Sequence, residues 1–487
     1  MNEGLKGRKS TIAEIPEIPD AEEKSPAKRV TKSDIGTTLS RPSRVGRSHT
    51  RKASTYSLVH AAALTKLYSS SKLNTKGPPQ GISGLPNYGN TCYFNTTVQA
   101  LLCTPPLTDY FLGYDYTREI NKSNIDGSKN AVVAKSFGTA MKNVWKGGIS
   151  SSNPVTDVKA LHRALCSFHP EFSDYGQHDI AECLGFLLDG IHEDLNRVTG
   201  KKPYVEDVER VVKEKVEGED DIMEDEEVAA KAWEGYLRRN RSIIVDLFQG
   251  QLRSTLRCCN EDKKGGKGCG REVRKFEPFM FLTLPVEQSG GSISAAVKSF
   301  SSTETMDGDN KWYCSSCKTH VRAEKKIEVW KVPPMLIIHL KRFGGRGGAK
   351  INAPVKFPLV DFDVSQFLRS PTEGSTVYDC YAVALHHGSA GGGHYTALGK
   401  SRITGGWYDL NDSHVGEVDP REVEDHRNAY VLFYSCMVDS GSDEEEEEMG
   451  KKTGSGRREV HIRRQSVSMP HLWPHMNKRD QPSLKGG

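Results

Sequence analysis

Apolar side chains recur at helical spacing through the first half of the chain. The first such segment follows a run of turn formers that ends at Asn90, and it stops at Pro105 because proline breaks a helix interior. Its apolar face includes Val98 and Leu101. The same spacing predicts further helices at residues 128–145, 155–166 and 177–196.

The second half of the chain carries patterns typical of buried strands, in which apolar residues alternate or run together. Four segments have such a pattern: residues 327–330, 336–343, 378–386 and 429–434. Glycine-rich runs at residues 344–348 and 387–393 predict flexible loops between them. We therefore expect mainly helices first and mainly strands later in the chain.

The remaining segments are polar and charged. Residues 1–76 are basic and rich in Ser and Thr, and residues 437–487 are first acidic and then basic, so both are predicted to be disordered tails. Residues 200–232 predict an exposed charged insert outside the core. The folded domain is expected to span residues 81–436.

Composition restricts the compartment and the partners. Among the 487 residues the hydrophobic content is 36% and the mean hydropathy is -0.57, which suits a folded core with polar tails. The net charge of +4 gives no reason to expect direct binding of nucleic acid. No apolar run of about 18 residues predicts a membrane span, and the N-terminus lacks an apolar signal core. The 11 cysteines are therefore expected to be reduced thiols, metal ligands and a nucleophile. The protein is expected in the cytoplasm and also in the nucleus.

Cys92 is the candidate nucleophile, because it lies in the first turn of the first predicted helix. Unpaired N–H groups and the helix dipole at that position favour a thiolate. Asn87 and Asn90 lie just before it, and their side-chain amides are suited to stabilise a developing oxyanion. This arrangement predicts nucleophilic catalysis if the fold supplies a base.

His394, in the run Gly391 to Tyr395, is the candidate base. A cysteine and a histidine that are far apart in sequence are what a cysteine hydrolase brings together in its fold. A third group has to orient the imidazole, and Asn411 and Asp412 are the right chemical types. The residues alone do not choose between these two.

The segments around Cys92 and His394 resemble those of the ubiquitin-specific proteases, the papain-like deubiquitinases. The run from Gly89 to Asn95 resembles their cysteine box, and residues 381–397, 407–412 and 429–434 resemble their histidine box. The resemblance covers residues 81–436. It implies an α+β fold with a helical thumb that holds Cys92, a β palm that holds His394, and zinc-tipped β fingers.

The resemblance also implies a reaction. Members of this family are deubiquitinating cysteine proteases that hydrolyse the peptide or isopeptide bond after the C-terminal glycine of ubiquitin, through an acyl-thioester. The implied partners are ubiquitin and ubiquitinated proteins. In this chain the resemblance assigns Cys92 as nucleophile, His394 as base, Asn87 as oxyanion donor, and Asn411 with Asp412 as orienting groups.

A channel for the ubiquitin tail is implied beside these residues. Asp179 and Glu182 are three residues apart and share a helix face, and paired carboxylates suit the arginines of that tail. Gln177 and His178 precede them and match positions of the family. Three residues at the glycine loop, where a backbone must approach closely to admit Gly-Gly, complete the implied channel: Gly392, Gly393 and Tyr395.

A structural zinc site is implied at the tips of the fingers. Cys314 and Cys317 form one C-x-x-C pair. Cys258 and Cys269 match the second pair if residues 260–268 are an inserted loop. Cys259 is then either a spare thiol or the ligand in place of Cys258. An all-thiolate site without an open position is structural rather than catalytic.

Two other functions stay open on the sequence alone. An inactive ubiquitin-binding scaffold would need no catalytic residues, although all the matched catalytic types are present. A protease of a ubiquitin-like modifier would use the same residues and differ only in its substrate.

Overall fold

The computed structural model describes residues 78–436, with gaps at residues 124–125, 148–153, 175, 213–221, 260–268, 287–290, 344–349, 371–374 and 390–391. The predicted tails and the glycine loop predicted at residues 344–348 lie outside the described residues. Within the described residues, no helix combines the length and the apolar composition that a bilayer crossing requires.

Helices form most of the regular structure before residue 250. Side-chain oxygens start several of them; Ser242, for example, accepts the backbone N–H of Val245. The helices are α1 (Cys92–Leu102), α2 (Pro105–Gly113), α3 (Val132–Gly147), α4 (Lys159–Phe168), α5 (Ile180–Asp194), α6 (Ile222–Leu237), α7 (Ile243–Phe248), α8 (Ile293–Phe300) and α9 (Pro420–Val423).

The helices predicted at residues 128–145, 155–166 and 177–196 are α3, α4 and α5, and each begins later than predicted. At α4 the delay has a local cause, because the Asp157 carboxylate accepts the N–H of Lys159 at 2.7 Å and holds the chain in a turn. At α5 the side chain of Asp179 caps the helix, so the helix begins after it.

Strands form most of the rest of the described residues, in two sheets and a hairpin. They are β1 (Glu209–Val212), β2 (Gly250–Cys258), β3 (Glu272–Phe279), β4 (Phe281–Pro285), β5 (Glu304–Met306), β6 (Trp312–Cys314), β7 (Thr319–Val321), β8 (Ala323–Lys331), β9 (Met335–Lys341), β10 (Phe362–Asp363), β11 (Val377–Ser389), β12 (Gly392–Lys400), β13 (Trp407–Asn411), β14 (His414–Val418) and β15 (Ala429–Cys436).

The eight-stranded sheet, here called the palm, has the order β14-β13-β12-β11-β15-β9-β4, with β10 paired to β11. The five-stranded sheet has the order β1-β3-β2-β8-β5; together with the β6–β7 hairpin it is called the fingers. Helices α1 to α5 are called the thumb. The predicted α+β architecture of thumb, palm and fingers is therefore confirmed.

Helix α1 is fixed between the thumb and the palm. It contacts α5 on one side and β11, β12 and β13 on the other. All of its residues are buried, and Phe94, Val98 and Leu101 are fully so. Burying a side chain of that size contributes about 1.5–3 kcal/mol. This packing sets the start of α1 against the sheet that carries the candidate base.

The charged segment at residues 200–232 differs from the expected exposed insert. Its second half forms the start of α6, which packs on the fingers, and Asp225 there is 0% exposed. Arg210, Arg253 and Arg274 each approach the Asp225 carboxylate at 2.7 or 2.8 Å. The sequence pattern did not show this, because the arginines that allow the carboxylate to be buried lie on three different strands.

Candidate active site

The loop before α1 places Cys92 at the start of the helix. Gly89 and Asn90 have positive φ angles of 102° and 53°, which turn the chain sharply at this point. Asn87 Oδ1 accepts the N–H groups of Gly89 and Thr91 at 3.0 and 3.1 Å, so this side chain fixes the loop. Cys92 then begins α1.

The Cys92 thiol faces the palm. Cys92 is 3% exposed, and the backbone N–H of Tyr395 on β12 lies at the sulfur. Burial raises the pKa of the Cys92 thiol, and the charge of Asp412 raises it further, whereas the N–H groups of Tyr395, Tyr93 and Cys92 itself lower it. The helix start therefore favours the thiolate less than burial opposes it, so the thiol requires a base to take its proton.

His394 lies on β12, immediately before Tyr395. Its Nε2 lies 2.8 Å from Asn411 Oδ1 and 3.9 Å from Asp412 Oδ2. When Nε2 carries the proton and donates it to Asn411, Nδ1 on the other side of the ring is free of a proton and acts as an acceptor. The side chain of His394 is 41% exposed, so a substrate can reach it. Both candidate orienting residues thus lie at the ring, and Asn411 makes the hydrogen bond.

Asp412 connects the thumb to the palm. It has a positive φ of 48° in the turn between β13 and β14. Asn87 Nδ2 donates to Asp412 Oδ2 at 3.0 Å, and Asn95 Nδ2 donates to Asp412 Oδ1 at 2.8 Å. The Asn87 nitrogen carries two hydrogens, and the contact with Asp412 uses one of them.

Gln177 and the glycines of β12 lie on opposite sides of the cleft. Gln177 Nε2 donates to the Gly393 carbonyl at 2.9 Å, and the Gly393 N–H donates to Gln177 Oε1 at 2.8 Å. A Cβ on Gly393 would lie 2.4 Å from the His387 carbonyl, whereas a Cβ on Gly392 would meet nothing within 4 Å. Only Gly393 therefore requires glycine for packing.

The carboxylates of α5 differ in how they are engaged. Asp179 Oδ1 accepts the N–H of Ala181, and Asp179 Oδ2 accepts the hydroxyl of Tyr430. Glu182 is exposed, and although its backbone N–H donates to Asp179 Oδ1, its carboxylate has no hydrogen bond or ion pair among the described residues. Burial and the charge of Asp179 raise the pKa of Glu182. Glu182 is thus the carboxylate that is available to a cationic ligand.

His178 and Tyr395 are both held by aromatic contacts. His178 packs edge-on against Tyr93 and its Nε2 lies 2.7 Å from Asp174 Oδ1. The Tyr395 ring lies 4.6 Å from that of His386 and is 6% exposed, so its backbone rather than its hydroxyl faces the thiol.

A model of the family described as ubiquitin carboxyl-terminal hydrolase matches residues 83–434. The chain belongs to this family. It is 35% identical over 368 residues to ubiquitin carboxyl-terminal hydrolase 2 of Rattus norvegicus, with 74% of this chain and 55% of the relative covered. It is 32% identical over 395 residues to ubiquitin carboxyl-terminal hydrolase 21 of Homo sapiens, with 78% of this chain and 66% of the relative covered. The chain thus spans little more than half the length of the first of these.

The fold of this chain is also similar to that of a solved structure. A chain in the SAGA DUB module of Ubp8, Sgf11, Sus1 and Sgf73 bound to monoubiquitin superposes with a TM-score of 0.54 at 19% identity, covering 78% of this chain and 74% of that one. At this identity the likeness concerns the fold. The sequence resemblance to the ubiquitin-specific proteases is confirmed by the family match.

The fingers carry a cluster of cysteines. The sulfur atoms of Cys258, Cys269, Cys314 and Cys317 all lie within 4.8 Å of one another. The Cys258–Cys317 and Cys269–Cys314 pairs are 3.8 and 3.6 Å apart, too long for disulfide bonds. Cys259 Sγ instead points at the carbonyl of Arg257. The four cysteines are close enough to hold one metal ion.

Asn95 is a site residue that the sequence reasoning missed. It is 2% exposed, and besides Asp412 its Nδ2 donates to the carbonyls of Leu85 and Pro86. Its Oδ1 is buried without a hydrogen-bond partner among the described residues. The signal was present in the sequence, because a polar side chain three residues after Cys92 shares its helix face and needs partners when buried.

Proposed function

We propose that this chain is a deubiquitinating cysteine protease that hydrolyses the peptide or isopeptide bond after the C-terminal glycine of ubiquitin. The observation that carries the proposal is the arrangement at β12. The strand presents His394, hydrogen-bonded to Asn411, and directs the N–H of the next residue at Cys92. Family membership supports ubiquitin as the substrate.

The reaction begins with transfer of the Cys92 proton to His394 Nδ1. The thiolate attacks the carbonyl of the terminal glycine of ubiquitin and forms a tetrahedral oxyanion. Asn87 Nδ2 and the backbone N–H groups at the start of α1 donate to that oxyanion. The imidazolium then gives its proton to the departing lysine amine, which leaves ubiquitin as a thioester on Cys92. Water, deprotonated by His394, hydrolyses the thioester and frees the thiol.

Asn411 and Asp412 have separate tasks in this scheme. Asn411 holds the His394 ring with its proton on Nε2, which keeps Nδ1 available as the base. Asp412 holds the amides of Asn87 and Asn95, and its negative charge lies 3.9 Å from the ring where the imidazolium forms.

The ubiquitin tail is recognised at the cleft between α5 and β12. Glu182 is the carboxylate that receives an arginine of the tail, because its oxygens are available. Asp179 contributes negative charge from its capped position. Gly392 has no side chain that would fill the space the Gly-Gly end needs, whereas the Cβ position of Gly393, next to it, is turned toward β11.

We also propose that the cysteine cluster of the fingers binds zinc. In a tetrahedral site with Zn–S bonds of about 2.3 Å the sulfurs lie about 3.8 Å apart, which agrees with the Cys258–Cys317 and Cys269–Cys314 distances of 3.8 and 3.6 Å. Cys258, Cys269, Cys314 and Cys317 would hold the ion. The bound metal would link the end of β2 to the β6–β7 hairpin and have no part in the reaction.

The proposed compartment is the cytoplasm, with the nucleus as a second site, and the proposed partners are ubiquitin and ubiquitinated proteins. Reduced thiols are required for both the nucleophile and the zinc ligands, which supports a reducing compartment.

Ubiquitin carrying a C-terminal electrophile tests the proposal. We expect covalent capture by the wild-type chain and no capture by Cys92→Ser. Binding of ubiquitin without capture would instead indicate a scaffold. Capture only by the corresponding probe of a ubiquitin-like modifier would replace ubiquitin as the substrate.

A further inference from the structure

Gln177 and Gly393 make a two-bond contact that the reaction scheme does not use. The side-chain amide of Gln177 satisfies both backbone groups of Gly393, at 2.9 Å to the carbonyl and 2.8 Å from the N–H. In an antiparallel sheet, a neighbouring strand hydrogen-bonds to the N–H and the carbonyl of one residue in the same way. Glutamine suits this task because its amide offers one acceptor and an NH2 donor side by side.

The two partners come from opposite sides of the cleft. Gln177 precedes α5 in the thumb, and Gly393 is the second residue of β12 in the palm. On the edge away from β11, strand β13 pairs with β12 only from Ala397 onward. Tyr395 lies two residues after Gly393, so its backbone groups face the same edge of β12. The N–H of Tyr395 lies at the sulfur of Cys92. Gln177 thus takes the place of a strand beside the residues that flank the base.

The contact acts on the peptide unit that leads into His394. That unit contains the Gly393 carbonyl, and because it is rigid and planar, fixing the carbonyl fixes the His394 nitrogen as well. On the other side, β11 packs so closely that a Cβ on Gly393 would lie 2.3 Å from His386 Nε2. The backbone before the base is therefore clamped between β11 and Gln177.

We propose that Gln177 is a positioning residue that holds the backbone of His394 from across the cleft and so sets the imidazole against Cys92. The proposal rests on the assignment of His394 as the base. The Gln177 amide is engaged in both directions within the protein itself. It therefore acts on the base. The sequence resemblance instead implied that Gln177 contacts the ubiquitin tail.

Gln177→Ala removes the clamp from the thumb side. A displacement of about 1 Å in a catalytic group costs about 10²-fold in rate. Since β11 still holds the strand, we expect kcat to fall about tenfold, with KM nearly unchanged because the contact does not touch ubiquitin. Gln177 is exposed, so the melting temperature should stay close to that of the wild type.

The pH dependence of kcat in Gln177→Glu distinguishes a positioning role from a purely structural one, because a structural role would not change it. An ionised carboxylate repels the Gly393 carbonyl, whereas a protonated carboxyl can donate to it and restore both bonds. The protonated form is favoured in the folded protein, so the pKa of the new group is raised above its usual value. The variant's kcat relative to wild type should therefore recover as the pH falls from about 8 to about 5. Gln177→Ala carries no carboxyl at this position, so its ratio should show no such recovery at low pH.

Gln80 offers a matched control, because its Nε2 also donates to a backbone carbonyl, that of Trp145, at 2.7 Å. Gln80→Glu should keep wild-type kcat at every pH at which it is folded. A flat ratio for Gln177→Glu, or equal profiles for the two glutamate variants, would overturn the positioning role.

A second measurement separates this proposal from the proposed function. Iodoacetamide alkylation of Cys92, followed against pH by mass spectrometry of its peptide, reports the thiol–imidazole pair without ubiquitin. A shifted profile in Gln177→Ala is the expected result, and an unchanged profile overturns the proposal. A wild-type chain that cleaves no ubiquitin substrate would overturn the function, while the alkylation profile would still decide the role of Gln177.

Discussion

Asn95 Nδ2 donates to Asp412 Oδ1 at 2.8 Å across a sequence separation of 317 residues. This bond joins the first turn of α1, which carries Cys92, to the turn after β13. That turn directly follows Asn411, the hydrogen-bond partner of His394. With the contact from Asn87 it holds one negative charge 3.9 Å from His394 Nε2, where that charge also acts on the Cys92 thiol.

We expect Asn95→Ala to lower kcat at least about tenfold, because Asp412 then loses its buried donor and its position. The free energy of unfolding should fall by about 1–3 kcal/mol. Gln99→Ala is the matched control: it lies on the same helix, is 3% exposed and donates to the Ser83 carbonyl at 2.7 Å. It should lose similar stability and keep kcat per folded molecule. Equal losses of kcat in both variants would contradict the role of Asn95.

Substitutions of Asn411 and Asp412 decide which residue orients the base. Asn411→Ala removes the acceptor of His394 Nε2 and should lower kcat about 100-fold, whereas Asn411→Asp retains an acceptor and should stay within about tenfold of wild type. Initial rates on ubiquitin with a C-terminal fluorophore measure both. A larger loss in Asp412→Ala than in Asn411→Ala would assign the orienting task to Asp412.

Gly393→Ala should destabilise the protein, because its Cβ would lie 2.4 Å from the backbone carbonyl of His387. The loss expected for such overpacking is about 1–3 kcal/mol. Gly392→Ala meets nothing within 4 Å and should unfold at nearly the wild-type temperature. Thermal unfolding of the two variants side by side tests the packing, and equal melting temperatures would be inconsistent with it.

Metal analysis decides between Cys258 and Cys259. Elemental analysis of the purified chain should find about one zinc per molecule, and Cys258→Ser should abolish it. Cys259→Ser should retain the metal, because its sulfur points away from the cluster. Chelation should lower the melting temperature of wild type and Cys259→Ser alike. Retention by Cys258→Ser together with loss in Cys259→Ser would reverse the assignment.

Asp189 should make stability depend on pH. Burial, together with Glu193 and Asp126, raises the pKa of its carboxyl to about 6, although Lys202 acts in the opposite direction. The folded protein holds this proton more tightly than the unfolded chain, so the stability it contributes is complete below about pH 4 and is lost as the pH rises through about 6. At pH 8 Asp189→Asn should therefore have a higher melting temperature than wild type, with a free energy of unfolding larger by up to about 3 kcal/mol. No gain at pH 8 would contradict this account.

The sequence predicted what depends on local pattern. The turn before Cys92, the helix after it and the strands around His394 follow from residues that are close together along the chain. The engagement of Asp179 by Tyr430, the burial of Asp225 and the pairing of Gln177 with Gly393 could not be predicted in that way. In each case the partner lies far along the chain, and only the packing of thumb, palm and fingers brings it near. The family resemblance gave residue types for these positions but not their contacts.

Strand β15 is the last strand of the described residues and yet lies inside the palm, between β11 and β9. A nascent chain that has not yet emerged from the ribosome as far as Ala429 leaves both neighbours without a shared partner, so the sheet beneath His394 is incomplete. The ribosome therefore synthesises the segment with Cys92 long before the strand that completes the sheet under His394. If the proposed activity is correct, we expect a polypeptide that ends before β15 to lack it, because the sheet under the base is then incomplete.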